Sequence, residues 1–357
     1  MSRLNNIKPV QVKVRLEDYI HLVLGEGKTG KSTLFRDLVN VHYHGDMSKG
    51  LLLAFEPGYN ALDGLYAQQI EDWEDWEDLL DDLVENRKDT SFRFIAIDTI
   101  DKFVDMAIDK TLRDSKKKDG KKVLSINEAF GGFQRGRDYC LKIMGDSLSK
   151  LKKAQYGIFL IGHTKLKKKN TGVTLSDGQE YMQLSSNLMG EYENIFRNLA
   201  DMMTFLVVDK KVIGDAENVK KRTARNSVSM HFRSNGEIDC GGRLKGLPTE
   251  PLEYSAENYL KAFEQGVKSS ILNPVTDDKI KEIAKEQEIE SEKKAEKVSQ
   301  KLSVKEMIDL IKKGFSSLGD GAKILMQQYV EESGISSLDE LTEDNREIVE
   351  KMYELVL

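Results

Sequence analysis

The chain has 357 residues, 39% of them hydrophobic and 32% charged, which allows two domains or one large domain with a charged, solvated appendage. Its two cysteines, Cys140 and Cys240, exclude a disulfide framework and a cysteine zinc site and fit a reducing cytoplasm. The first residues lack the apolar stretch of a signal peptide, and no apolar run approaches the ~20 residues needed to cross a bilayer, so a soluble, cytoplasmic chain without membrane contact is expected. The net charge of −6 is uneven: residues 277–357 hold 20 acidic against 13 basic residues, while the rest is close to neutral.

Residues 1–18 form an N-terminal segment with a possible edge strand at Val10–Val14. The apolar run 19–24 predicts a buried strand, and helical spacing begins at Lys31. Between them, Gly25 to Ser32 satisfy the phosphate-loop pattern G-x-x-x-x-G-K-[ST], in the strand–loop–helix context the pattern requires. Gly25, Gly27 and Gly30 let the backbone curl with its N–H groups inward, where Lys28, Thr29 and Thr33 share the cradle around a β-phosphate. The helix N-terminus adds a field favourable to an anion. Lys31 would reach the β- and γ-phosphates of ATP, and the Ser32 hydroxyl would ligate Mg²⁺.

Further strands are predicted at 50–55, 92–97, 157–162, 202–208 and 228–233, with helices at 31–41, 71–86, 99–113, 137–154 and 190–200. Several strands are continuous apolar runs, as in a parallel sheet covered on both faces; the fold class is α/β with a mostly parallel sheet. Glu56 follows the second strand and could activate water for attack on a γ-phosphate. Asp98 ends the third strand and could hold Mg²⁺ beside Ser32. His163 ends the fourth and could meet the γ-phosphate and report its presence to the segment that follows. That segment, with Lys165, Lys167, Lys168 and Lys169, reads as a long basic loop able to neutralise nucleic-acid phosphates. Other basic runs lie at 116–122, 150–153 and 220–225. Trp73 and Trp76 sit three apart on a helix and read as one apolar face packed on the body. Residues 271–302 are a charged linker or solvated helix, and 303–357 regain helical periodicity as a small helical domain.

These stations together resemble the RecA-like branch of phosphate-loop ATPases from about residue 19 to about 250, which gives a RecA-like core over 19–270. The segment Ala54-Phe55-Glu56-Pro57-Gly58-Tyr59-Asn60-Ala61-Leu62-Asp63-Gly64-Leu65-Tyr66-Ala67 looks like the RecA stretch that carries the catalytic glutamate, and it maps that role onto Glu56. Asp98 matches the Walker B aspartate, His163 stands where the branch carries a polar sensor, and the basic loop corresponds to the DNA-binding loop. Within the branch, Gly162-His163-Thr164-Lys165, the Gly131–Gly136 turn, Leu199–Met203 and Arg243–Pro248 are similar to phage-encoded ATPases related to single-strand annealing proteins. The resemblance implies a basic finger for a neighbouring subunit's γ-phosphate, with Arg243 and Lys245 as candidates and Arg233 behind them.

The expected function is therefore ATP hydrolysis, stimulated by DNA, in a ring or filament of copies that binds single-stranded DNA and promotes annealing or strand exchange in phage recombination inside a bacterial host. The acidic tail could recruit a single-strand-binding protein. The alternatives are a replication ATPase, either helicase or helicase loader, and a nucleotide-dependent signalling or defence scaffold that never touches DNA.

Overall fold

The computed structural model describes residues 9–120, 122–171, 180–213, 222–273 and 275–299, and in the C-terminal region 304–315, 318, 320–332, 338, 341–342 and 345–356. Two compact units divide the chain, 1–299 and 300–357.

The first unit is built on β1 (Ile20–Gly25), β2 (Gly50–Ala54), β3 (Tyr66–Gln69), β4 (Phe94–Asp98), β5 (Gly157–Asn170), β6 (Glu180–Ser186), β7 (Met202–Ile213), β8 (Arg222–His231), β9 (Gly241–Gly242) and β10 (Leu252–Glu253). The sheet runs β10-β8-β7-β1-β5-β4-β2-β3, and every pairing from β7 to β3 is parallel. Strand β8 joins β7 antiparallel, and β10 and β9 add short antiparallel pieces. This is the expected mixed α/β architecture, with a mostly parallel sheet, of a phosphate-loop core.

The strands are apolar throughout because both faces are covered, and their alternation sorts the residues between two cores. Leu22, Leu51, Leu53, Ile95, Ile97, Ile158 and Leu160 face one side. There they meet helices α2 (Trp73–Glu85), α3 (Ile100–Asp119), α4 (Arg135–Lys153) and α5 (Gly190–Leu199). Val23, Leu52, Phe94, Ala96, Phe159 and Ile161 face the other, under α1 (Lys31–His42) and α6 (Ala256–Ser270). Trp73 and Trp76 lie in the first core against Phe103, as the apolar-face reading expects. Side-chain caps fix helix starts: Asp72 accepts from Asp75 N for α2, and Ser255 accepts from Asn258 N for α6.

Three segments differ from expectation. Val10–Val14 is not a strand: Val14 N donates to Gln287 Oε1 at 2.9 Å, and Val12 O accepts from Gln287 Nε2 at 3.0 Å, so a helix side chain satisfies this backbone. The basic segment after His163 is not a loop: β5 continues to Asn170 and pairs antiparallel with β6, from Thr164↔Ser186 to Asn170↔Glu180. Gly172 lies outside the described residues.

The third segment is α7 (Asp277–Ser299): of the two expected forms, linker or helix, it is a helix, but docked rather than solvated. Gln287, Ser291 and Ala295 are buried along one face. Glu292 takes Arg87 at 3.2 Å and Arg93 at 3.0 Å, and the Arg87 side chain is fully buried, stacked 4.9 Å over the Tyr156 ring. A charge so buried requires a counter-charge, and α7 provides it. The second unit carries α8 (Val304–Gly314), α9 (Asp320–Glu332) and α10 (Arg346–Glu354) around Val304, Met307, Ile308, Ile311, Met326, Val349 and Met352. No helix among the described residues is long and apolar enough to cross a membrane.

Candidate nucleotide site

Four neighbouring strands deliver the candidate groups to one edge of the sheet. Gly25 ends β1 opposite His163 of β5, Asp98 ends β4 opposite Ala54 of β2, and Glu56 follows two residues later. They open on a cleft of about 620 Å³ lined by Lys31, Ser32, Glu56, Asp98, Thr99 and His163, together with Tyr59 and Leu62. The crevice outside the carboxyl ends of parallel strands is where open α/β sheets bind ligands.

The loop from Gly25 to Gly30 is shaped by close packing. A Cβ on Gly25 would stand 2.7 Å from Thr29 Oγ1, which donates to Glu26 O at 2.9 Å. Gly30 is left-handed, with φ +90°, and a Cβ there would meet the Tyr254 hydroxyl at 2.8 Å. Gly27, Lys28 and Gly30 line the cleft, and a Cβ on Gly27 would meet only open space. Helix α1 starts at Lys31, so its first N–H groups face the cleft. Thr33, the residue after Ser32, lines it too.

Lys31 is buried, and its Nζ donates to Gly25 O at 3.1 Å and Glu26 O at 2.8 Å. Burial lowers its pKa, opposed by the negative charges of Asp98, Asp101 and Glu56. The Ser32 hydroxyl donates to Asp98 Oδ2, so the two Mg²⁺ candidates converge on one point. Burial raises the Asp98 pKa; the Ser32 hydrogen bond opposes this and the nearby Glu56 charge adds to it. A buried carboxylate in this state is relieved by a cation, and a hydroxyl plus one carboxylate is the sparse donor set that Mg²⁺ completes with phosphate oxygens and water. Among the described residues no group of three or more His, Cys, Asp or Glu could hold a metal by itself.

His163 is 31% exposed and held from behind by Asp101, in the first turn of α3 and three residues after Asp98, a position that no motif marks in the sequence. No motif marks Asn187 or Tyr254 either. The Tyr254 hydroxyl donates to Gly30 O at 2.8 Å, and nothing in the local sequence announces a contact with a residue 224 positions away.

A family profile described as an AAA domain matches residues 17–240. The chain belongs to this AAA family of phosphate-loop ATPases. No curated protein matches it. The AAA match covers the phosphate loop, Glu56, Asp98, His163 and the β5–β6 hairpin, and it ends before Arg243, Lys245 and Tyr254. Membership carries nucleotide binding and ATP hydrolysis in general terms.

The remaining candidates lie elsewhere in the AAA chain. Arg243 bonds Asp201 Oδ1 at 2.7 Å and the Asn198 carbonyl, beside the start of β7, at the opposite end of the sheet from the phosphate loop. Lys245 N donates to Ser270 Oγ at 2.9 Å, and Arg233 bonds Leu244 O at 2.7 Å. The hairpin lysines divide. Lys167 Nζ is engaged by Leu188 O at 2.7 Å and Glu193 at 2.8 Å, and Lys168 pairs with Glu180 at 2.5 Å. Lys165 and Lys169 are exposed. Of the other basic runs, Lys220 and Lys221 lie outside the described residues.

Proposed function

We propose that this chain hydrolyses ATP, binds single-stranded DNA along the β5–β6 hairpin, and promotes annealing or strand exchange in recombination of the phage type. One observation carries the reading: a single strand, β5, runs without a break from cleft-lining His163 into the basic arm Lys165–Lys169, so nucleotide state and the arm are joined by continuous backbone.

In this reading Lys31 exchanges its two loop carbonyls for β- and γ-phosphate oxygens, and the N–H groups at the start of α1 bind the β-phosphate. Ser32 and Asp98 hold Mg²⁺, which supplies charge neutralisation at the phosphate oxygens. Glu56 orients a water and takes its proton as the water oxygen bonds to the γ-phosphorus and the bridge to ADP breaks. His163 contacts the γ-phosphate. Copies assemble as a ring or filament, in which Arg243 and Lys245, remote from their own cleft, serve a neighbour's. The acidic 300–357 unit recruits a single-strand-binding protein.

The test is ATP hydrolysis with and without single-stranded DNA, in the wild type and in a Lys165→Ala, Lys168→Ala, Lys169→Ala variant that spares the engaged Lys167. Stimulation lost in the variant, with basal hydrolysis kept, supports the reading. A wild type indifferent to DNA removes the DNA role and leaves a nucleotide-dependent scaffold. Duplex unwinding would instead identify a replication ATPase.

A further inference from the structure

The His163 ring is held in one orientation. Its Nδ1 lies 3.3 Å from Asp101 Oδ2, and its backbone N–H donates to the same oxygen at 2.9 Å. The other carboxylate oxygen accepts from Asn187 Nδ2 at 3.2 Å, and Asn187 N donates back to His163 O at 2.8 Å. These hydrogen bonds close a ring through three elements: the first turn of α3, the cleft end of β5, and the residue that follows β6. Burial works against the charge of Asp101, but the hydrogen bonds from His163 and Asn187 outweigh it and hold its carboxyl below the usual range. An anion there keeps a proton on Nδ1, which leaves Nε2 as the ring nitrogen for the cleft.

The contacts continue outward. Leu188, next to Asn187, accepts from Lys167 Nζ at 2.7 Å, and Lys167 also meets Glu193 of α5. The base of the hairpin is therefore tied to the cleft twice, through the β5 backbone and through the Asp101 carboxylate.

We propose that Asp101 is a positioning residue for His163, and that Asp101 and Asn187 together transmit nucleotide contact at His163 into the β5–β6 hairpin. A γ-phosphate that engages Nε2 pulls on a ring whose other nitrogen is bound to Asp101. The pull passes to Asn187 and from there to the strand pair that carries the lysines. A diphosphate makes no such contact, so the two nucleotides differ in what the hairpin feels. The inference rests on the reading that the cleft holds ATP; it is independent of whether the hairpin meets DNA.

The experiment is amide hydrogen exchange on the full chain with Mg²⁺ and either a non-hydrolysable ATP analogue or ADP, alongside steady-state hydrolysis. The variants are Asp101→Asn, which keeps the shape and removes the charge, and Asn187→Ala, an exposed position whose truncation leaves the core intact. In the wild type the hairpin amides should exchange differently under the two nucleotides. Both variants should protect the phosphate loop with either nucleotide but lose the difference at the hairpin. Asp101→Asn should also lower kcat about tenfold with little change in KM, as expected for a charge-assisted contact made at the reacting end. A hairpin difference retained in both variants, or absent from the wild type, overturns the relay. A wild type with no nucleotide protection of the phosphate loop overturns the ATP reading itself, and the relay with it.

Discussion

The Tyr254 hydroxyl bonds the Gly30 carbonyl at 2.8 Å, while Tyr254 N is held by Val228 O of β8 at 3.1 Å. The tyrosine is thus a strut between the antiparallel end of the sheet and the turn that must be left-handed to present its N–H to phosphate. Tyr254→Phe removes one hydrogen bond of about 1 kcal/mol, so nucleotide KM should rise about fivefold with kcat nearly unchanged. Gly30→Ala is harsher: it forces a Cβ into the strut at a φ of +90° and should abolish nucleotide binding in a chain that still folds. Equilibrium binding of a fluorescent nucleotide and far-UV circular dichroism check both.

Lys31→Ala deletes the buried ammonium of the cleft. Its loss should weaken triphosphate binding about 10- to 100-fold, the range for a hydrogen bond to a charged group. Because the hydrogen bonds of Lys31 are made to loop carbonyls, the melting temperature of the nucleotide-free protein should fall little, and calorimetric titration alongside thermal unfolding separates the two effects.

Glu17 gives a pH prediction. It is buried, which by itself would raise its pKa, but His42 at 3.3 Å, Arg15 at 3.6 Å and the Tyr43 hydroxyl at 2.5 Å overcome this and bring it from 4.5 to about 2. A depressed folded-state value means the stabilisation is complete above the unfolded pKa, and it disappears as pH falls from 4.5 through about 2. Glu17→Gln should cost about 2–3 kcal/mol at neutral pH, and the gap should narrow steadily below pH 4.5. Urea midpoints at pH 7 and pH 3 measure it.

Glu292→Ala strands Arg87, whose side chain has no exposed surface. Breaking a buried pair costs about 3–5 kcal/mol, and the partial exposure of Glu292 brings the expectation to about 2 kcal/mol. Glu296→Ala removes the Lys88 pair at 3.3 Å, in which both side chains are about half exposed, and should cost well under about 1 kcal/mol. Thermal unfolding of the two variants side by side is the check.

Much of the nucleotide cleft is written in contiguous sequence. Gly25–Ser32, Glu56, Asp98 and His163 each follow an apolar strand, and parallel pairing gathers such positions at one edge. The hairpin was hidden because the buried face of β6 carries Gln183 and Ser185, polar residues that break the alternation expected of a strand. Strand β3, Tyr-Ala-Gln-Gln, offers no apolar run at all. Helix α7 looked solvated because its buried positions include Gln287 and Ser291, which hydropathy counts as surface. Helix α6 is different: the Ser255 cap and the spacing of Tyr259, Ala262, Phe263 and Val267 together make a complete helical signal in the sequence.

The seating of α7 decides where the chain can be dissected. Removing everything from Asp277 would take the acidic residues away together with the partner of Arg87 and the side chain that satisfies Val12 and Val14. A truncated protein of that kind would report a damaged core whatever the acidic unit does. A stop codon after Ser299 leaves those contacts in place, so the two lengths, assayed together, separate what the C-terminal unit contributes from what α7 holds shut.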